Sequence, residues 1–190
     1  MGFVLAQVAF LLLPLLSIAA CAGIVLRADL LPTLKRPIDG NLMFRGRRLF
    51  GDHKTWRGAA CALAGGLLGV AVQKYGFGAR AGGLALLDYG GLSVVRLGGA
   101  FAAGAVLGEL LNSFIKRQLG IPPGCSATGW KAPLFYALDQ VDVVPATWLL
   151  LLLWIRPTPL QIASSFVLVF IVHQLVSVIG FKIGARTRQA

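Results

Sequence analysis

The sequence predicts an all-α integral membrane protein: one domain over residues 1–190, folded as a bundle of about five transmembrane helices with two basic cytoplasmic loops. Three observations carry that expectation. Hydrophobic residues fill 57% of the 190 positions and charged residues 13%, about half the charged share of soluble domains, and mean hydropathy is +0.78. The apolar residues gather into runs near the length of about 20 that a bilayer requires. The bases gather between those runs, chiefly on alternate loops.

The first run covers 3–26. Its Ile18-Ala19-Ala20-Cys21 stretch looks like a lipoprotein cleavage box, yet no Lys or Arg precedes Arg27. The basic start of a signal sequence is therefore missing, and the run is expected to remain as a helix. The second run, 58–73, is short and Gly-rich; the third is 97–114, the fourth 134–155 and the fifth 159–181. Gly65/Gly69, Gly104/Gly108 and Gly180/Gly184 have the spacing that lets membrane helices approach closely. Loop 74–96, Gly-rich and sparsely charged, reads as a connector on the outer side. Cys21, Cys61 and Cys125 have no metal-ligand spacing, and their odd number argues against a disulfide framework. A transporter is expected to show internal repeats or paired broken helices, and the sequence suggests neither.

Orientation follows from the bases. Arg27, Lys35, Arg36, Arg45, Arg47, Arg48, Lys54 and Arg57 lie in loop 27–57; Lys116, Arg117 and Lys131 lie in loop 115–133; Lys182, Arg186 and Arg188 lie in the tail. Only Lys74, Arg80, Arg96 and Arg156 fall on the other side. The positive-inside bias places the basic loops and the C-terminus in the cytoplasm. The protein is thus expected to be a multi-pass protein of the cell (inner) membrane. Two charged loops then face one compartment and can share a site.

The acids number seven, so each is informative. Glu109 lies inside the third run. Asp139 and Asp142 begin the fourth, spaced i,i+3 and so on one helix face. An acid at a helix centre costs about 2.5–3.5 kcal/mol, less near the interface, so these three ask for partners. Ion pairing with Lys116, Arg117 or Lys131 is the plain reading. A hard-cation site is the sharper one, because Mg²⁺ binds through one or two carboxylates plus substrate phosphates. In "GELLNSFIKR", Glu109, Asn112, Ser113 and Lys116 form a polar stripe at i, i+3, i+4 and i+7. "GIPPG" follows, where Gly124 lets backbone approach a phosphate. The first basic loop, "FRGRRLFGDHKTWRG" over 44–58, interleaves Gly46, Gly51 and Gly58 with its bases and carries Asp52. A loop that only anchors to anionic lipid needs no such pattern.

Taken together, "PIDG…FRGRRLFGDHKTWRG" (37–58), "GELLNSFIKRQLGIPPG" (108–124) and "LDQVD" (138–142) resemble the CDP-archaeol synthase family. Its members are membrane cytidylyltransferases distantly related to the CDP-diacylglycerol synthases. The resemblance implies five transmembrane helices, a CTP- and Mg²⁺-dependent reaction, and an active site on the cytoplasmic side. It implies that Asp39, Arg45, Asp52, Lys54, Ser113, Lys116, Arg117, Asp139 and Asp142 belong to that site. The family pattern has Asp where this chain has Glu109, and the stretch from Gly124 to Asp139 is longer than expected.

The chemistry fits the residues. A lipid phosphate is already an oxyanion, so the enzyme must mainly align it, neutralise charge and stabilise pyrophosphate. Asp139, Asp142 and Glu109 are the expected Mg²⁺ ligands, with Lys54, Lys116 and Arg117 on the triphosphate. Arg45, Arg47 and Arg48 are expected at the lipid phosphate or triphosphate, and Asp39, Asp52, Ser113 and Gly124 about the substrates. Trp56 reads as an interfacial anchor before a cytosine stack. His53 is either a phosphate contact or a solvated loop residue, and His173 more an interhelical bond than a substrate contact. The expected partners are CTP, a lipid phosphate of the 2,3-bis-geranylgeranyl-glycerol 1-phosphate type and the membrane, without nucleic acid. The alternatives are the same chemistry on phosphatidic acid, or a non-enzymatic membrane protein whose basic loop binds anionic lipid. A CDP-alcohol phosphotransferase pattern starts at Asp39-Gly40 and then fails.

Overall fold

The computed structural model describes residues 1–182, with the side chains of Ala79 and 179–182 left aside. Gly184, Arg186 and Arg188 lie outside the described residues, as does the side chain of Lys182. The architecture is a helical membrane bundle. Its elements are α1 (Gly2–Leu11), α2 (Leu13–Arg27), α3 (Trp56–Ala71), α4 (Val94–Gln118), α5 (Lys131–Val141), α6 (Val143–Leu151) and α7 (Pro159–Lys182), with a small hairpin of β1 (Met43–Phe44) and β2 (Arg47–Arg48).

Among the described residues, three helical stretches are long and apolar enough to cross a bilayer alone: Trp56–Phe77, Val94–Gln118 and Pro159–Val178. The first and fourth sequence runs, expected as unbroken helices, are instead bent pairs. α1 and α2 meet at 48°, and α5 and α6 at 40°. Counting each pair as one span makes five. Each break has a proline behind it. Pro14 and Pro145 lack the N–H that would reach back to Phe10 and Val141, and their rings crowd those carbonyls. The third run is longer than expected, and the second continues past α3 as a π-helical turn, Val72–Phe77.

Glycine sets the packing order of the bundle. An added Cβ at Gly65 or Gly69 would stand 2.5 Å from the Cα of Ile18 or Pro14 on α2. One at Gly66 would stand 2.5 Å from the Gly98 carbonyl oxygen of α4, and one at Gly104 2.6 Å from the Thr147 Cα of α6. At Gly108 it would overlap the carbonyl oxygen of Asp142. So α3 lies against both α2 and α4, and α4 against α6, at backbone distance. The core gathers Val8, Leu11, Val70, Leu97, Phe101 and Leu151, and Trp148 donates its indole N–H to Ser165 at 2.8 Å. Outward-facing Leu63, Leu68, Leu107, Leu149, Leu153 and Ile171 remain exposed. That surface suits hydrocarbon as its solvent.

Loop 28–55 is folded rather than slack. Ile38 N–H donates to the Lys54 carbonyl at 2.8 Å, and Trp56 N–H to that of Arg36 at 3.1 Å, zipping its two ends together. The hairpin pairs Met43 with Arg48 and Phe44 with Arg47. Its turn residues, Arg45 and Gly46, both have positive φ, as a tight two-residue hairpin requires. Thr55 then caps α3 by accepting from Gly58 N–H.

Candidate active site

The folded loop docks on the end of α4. Arg47 donates to the Gln118 carbonyl, and the Phe44 and Phe114 rings lie 5.8 Å apart. The loop after α4 comes up against it from the other side. A Cβ at Gly51, whose φ is +102°, would stand 2.8 Å from Pro123, and one at Gly124 2.9 Å from His53 Nε2. Both positions need glycine for their positive φ, and Gly51 also for space against the Pro123 ring. The two basic loops therefore share one site, as their charge suggested.

Between them lies a polar cavity of about 410 Å³. Lys54, Glu109, Ser113, Lys116, Arg117, Gly124, Asp139 and Asp142 all line it, so the structure brings together eight of the residues expected at a site. Phe50, His53, Asn112, Cys125 and His173 complete the wall. Phe50 carried no chemical signal in the sequence. Asn112 did lie on the α4 stripe, but its role there comes only from geometry. Its amide donates to Asp139 Oδ1 at 2.7 Å and to Asp142 Oδ2 at 2.9 Å. The two carboxylates thus face one point although the helix breaks at Asp142. Lys116 bonds Asp139 at 2.5 Å. His173 presents Nδ1 to the Gln140 carbonyl at 3.3 Å, the interhelical contact its position suggested.

Arg117 is the odd member. It is 7% exposed and lines the cavity, yet its buried Nε has no hydrogen-bond partner among the described residues. Its nearby counter-charge, Asp139, is already bonded to Lys116 and Asn112, and a buried guanidinium with an unmet donor is costly. A site built that way favours an anionic guest.

Two expectations meet a different geometry in the structure. Glu109 was expected beside the aspartates as a third metal ligand. Its carboxylate instead bonds Lys54 at 2.6 Å, and among the described residues no three His, Cys, Asp or Glu side chains are grouped to hold a metal. Asp39, Arg45, Arg47, Arg48 and Asp52 were expected around the substrates, but none lines the cavity. Asp39 has a fully buried side chain. It accepts from Arg48 at 2.8 Å, from Phe50 and Gly51 N–H at 3.0 Å, and from Asn41 N–H at 3.1 Å. Burial acts to raise its pKa, but those four donors outweigh it and hold the carboxyl well below the usual range. Arg48 also bonds Asp52 at 2.8 Å. Asp39 and Arg48 build the loop, Arg47 docks it, and Arg45 lies over the Phe44 ring. Trp56, half exposed at the start of α3, lines no part of the cavity either.

The two aspartates suit a hard cation. The Asn112 amide takes one oxygen of each, and Mg²⁺ needs only one or two carboxylates when phosphates and water supply the rest. Lys116 and Arg117 on the same wall suit those phosphates.

The family model described as CarS-like CDP-archaeol synthase matches residues 2–188. A CDP-archaeol synthase of Methanoculleus marisnigri is 35% identical over 157 residues, covering 79% of this chain and 87% of its own. One of Methanospirillum hungatei is 36% identical over 159 residues, with the same two coverages of 79% and 87%. A solved structure, described as an intramembrane enzyme for archaeal membrane lipids biosynthesis, superposes with a TM-score of 0.61. It is 26% identical and covers 89% of this chain and 91% of that one.

Proposed function

This chain belongs to the CDP-archaeol synthase family and is a CTP-dependent cytidylyltransferase, and on that premise we propose that its lipid acceptor is a 2,3-bis-geranylgeranyl-glycerol 1-phosphate type of molecule. Family membership removes the non-enzymatic reading. In the reaction a phosphate oxygen of the acceptor bonds to the α-phosphorus of CTP. The P–O bond to the β-phosphate breaks, and its electron pair leaves with pyrophosphate. The products are a CDP-lipid for phospholipid synthesis and pyrophosphate.

The attacking oxygen is already anionic, so no general base is required. Lys116 and Arg117 neutralise the triphosphate, and Arg117 supports this role most directly as a buried cation whose Nε has no acceptor among the described residues. Gly124 lets the backbone of loop 119–130 come close to a phosphate, with Ser113 and His53 as further donors at the same wall. Asp139 and Asp142 would hold Mg²⁺, which when bound supplies charge neutralisation to the triphosphate and the departing pyrophosphate. Asn112 keeps the two carboxylates turned to a common point. The basic asymmetry of the sequence supports a cytoplasmic site in the cell membrane, the side on which CTP is available.

Incubating the purified protein with CTP, Mg²⁺ and a panel of lipid phosphates tests the reading through released pyrophosphate. The di-isoprenoid ether phosphate is expected to react fastest and only with Mg²⁺ present. Faster release with diacyl phosphatidic acid would overturn the acceptor, and full activity in chelator would overturn the metal.

A further inference from the structure

Beside the polar cavity runs a second, more apolar cleft of about 270 Å³ between α2, α3 and α4. Ile18, Ala22 and Leu26, on successive turns of α2, line one wall. At 1.5 Å per residue they span about 12 Å along the helix. Ala62 of α3 and Val106 of α4 line the others. Leu26 is exposed, so the cleft is reached from outside the bundle. Its polar end consists of His53, Lys54, Thr55, Arg57 and Glu109, and His53, Lys54 and Glu109 also line the first cavity. The two spaces thus share a wall, and the Lys54–Glu109 pair stands in it.

The cleft has the polarity of one kind of guest. Apart from that polar end its lining is apolar, so it suits a molecule with an anionic head and a hydrocarbon body. We propose that this cleft takes the hydrocarbon chain of the acceptor lipid, and that Lys54, held in the shared wall by Glu109, receives the acceptor's phosphate. The proposal rests on the cytidylyltransferase reading above and adds to it where the second substrate lies. Glu109 is then a positioning residue. A lone ammonium between the two sites is drawn to the more highly charged triphosphate, and a carboxylate at 2.6 Å keeps it at the wall.

Two variants test this against wild type. In Ala22→Leu the cleft narrows, and KM for a di-isoprenoid glycerol phosphate should rise about tenfold more than KM for a short-chain diacylglycerol phosphate. Calorimetric CTP binding should not change. Ala59→Leu, at another half-buried lining position, repeats the test should Ala22→Leu fold poorly. In Glu109→Gln, KM should rise for both acceptors while the Mg²⁺ midpoint stays at the wild-type value. Equal KM changes for long and short acceptors in the folded leucine variant would overturn the cleft. A shifted Mg²⁺ midpoint in Glu109→Gln would overturn the positioning role and return Glu109 to the metal. A wild-type protein that releases no pyrophosphate with any lipid phosphate would overturn the reaction itself, an outcome separable from both.

Discussion

Asp39 and the pair Asp139–Asp142 are acids set among bases at the same end of the bundle, yet they are built in opposite ways. Asp39 has a fully buried side chain, and its two oxygens are saturated by one guanidinium and three backbone N–H groups. Nothing further can bind it. Asp139 and Asp142 open on a cavity and are bridged by a neutral amide, with Lys116 bonded to Asp139 alone. Identity and local charge do not separate a structural carboxylate from a ligand-binding one. The number and permanence of its donors do.

The strongest way to break this comparison is to neutralise the open pair. Asp139→Asn and Asp142→Asn should each lower turnover by more than about a hundredfold, because the proposed role needs the charge of each carboxylate at the metal and phosphates. Melting in detergent should move little. A melting temperature that falls in step with activity would make them structural, like Asp39.

Asp39→Asn should do the reverse. Stability should fall by about 2–4 kcal/mol, since the buried oxygens lose part of their donor set and Arg48 loses its buried partner. The folded fraction should still turn over. The same group sets a pH dependence. Its folded pKa lies below the ordinary value of 3.8, so the unfolded chain takes up the proton first. The stabilisation is therefore complete above about pH 5 and lost as pH falls through and below 3.8 toward the depressed folded value. Wild-type melting temperatures should drop over that window more steeply than those of Asp39→Asn, and parallel curves would refute the assignment. Smallest of all, Asp52→Ala removes an exposed partner of the same Arg48 and should cost under about 1 kcal/mol in a denaturant titration.

The spans were legible because hydrocarbon thickness imposes run length on any sequence that crosses it. The α4 stripe was legible because helix periodicity puts it on one face. The i,i+3 spacing of the aspartates pointed the right way, although the helix breaks at Asp142 and Asn112 holds the pair together. The breaks at Leu12 and Asp142 were not read, although Pro14 and Pro145 were there to signal them. Asp39 could not be told from a substrate ligand, since its donors meet it only after Gly40, Asn41, Arg45 and Gly46 turn the chain at positive φ. Glu109 was read toward the aspartates on its own side of the chain, whereas its partner Lys54 lies 55 positions earlier. Gly108 was read as packing alone. Its contact with the Asp142 carbonyl is also what sets the α4 stripe against the aspartates.

The cavity draws its walls from residues 50–54, 109–125, 139–142 and 173, and that order bears on biogenesis. When α4 emerges from the ribosome, Lys54 has already been made, so Glu109 can be inserted with its counter-charge at hand. Lys116 has no such advantage, because Asp139 is still untranslated. A charge held within a bilayer without a partner is expensive, so α4 has reason to remain at the insertion machinery until α5 arrives. Truncated chains ending in loop 119–130 should then be held back by membrane quality control, long before the absence of activity matters.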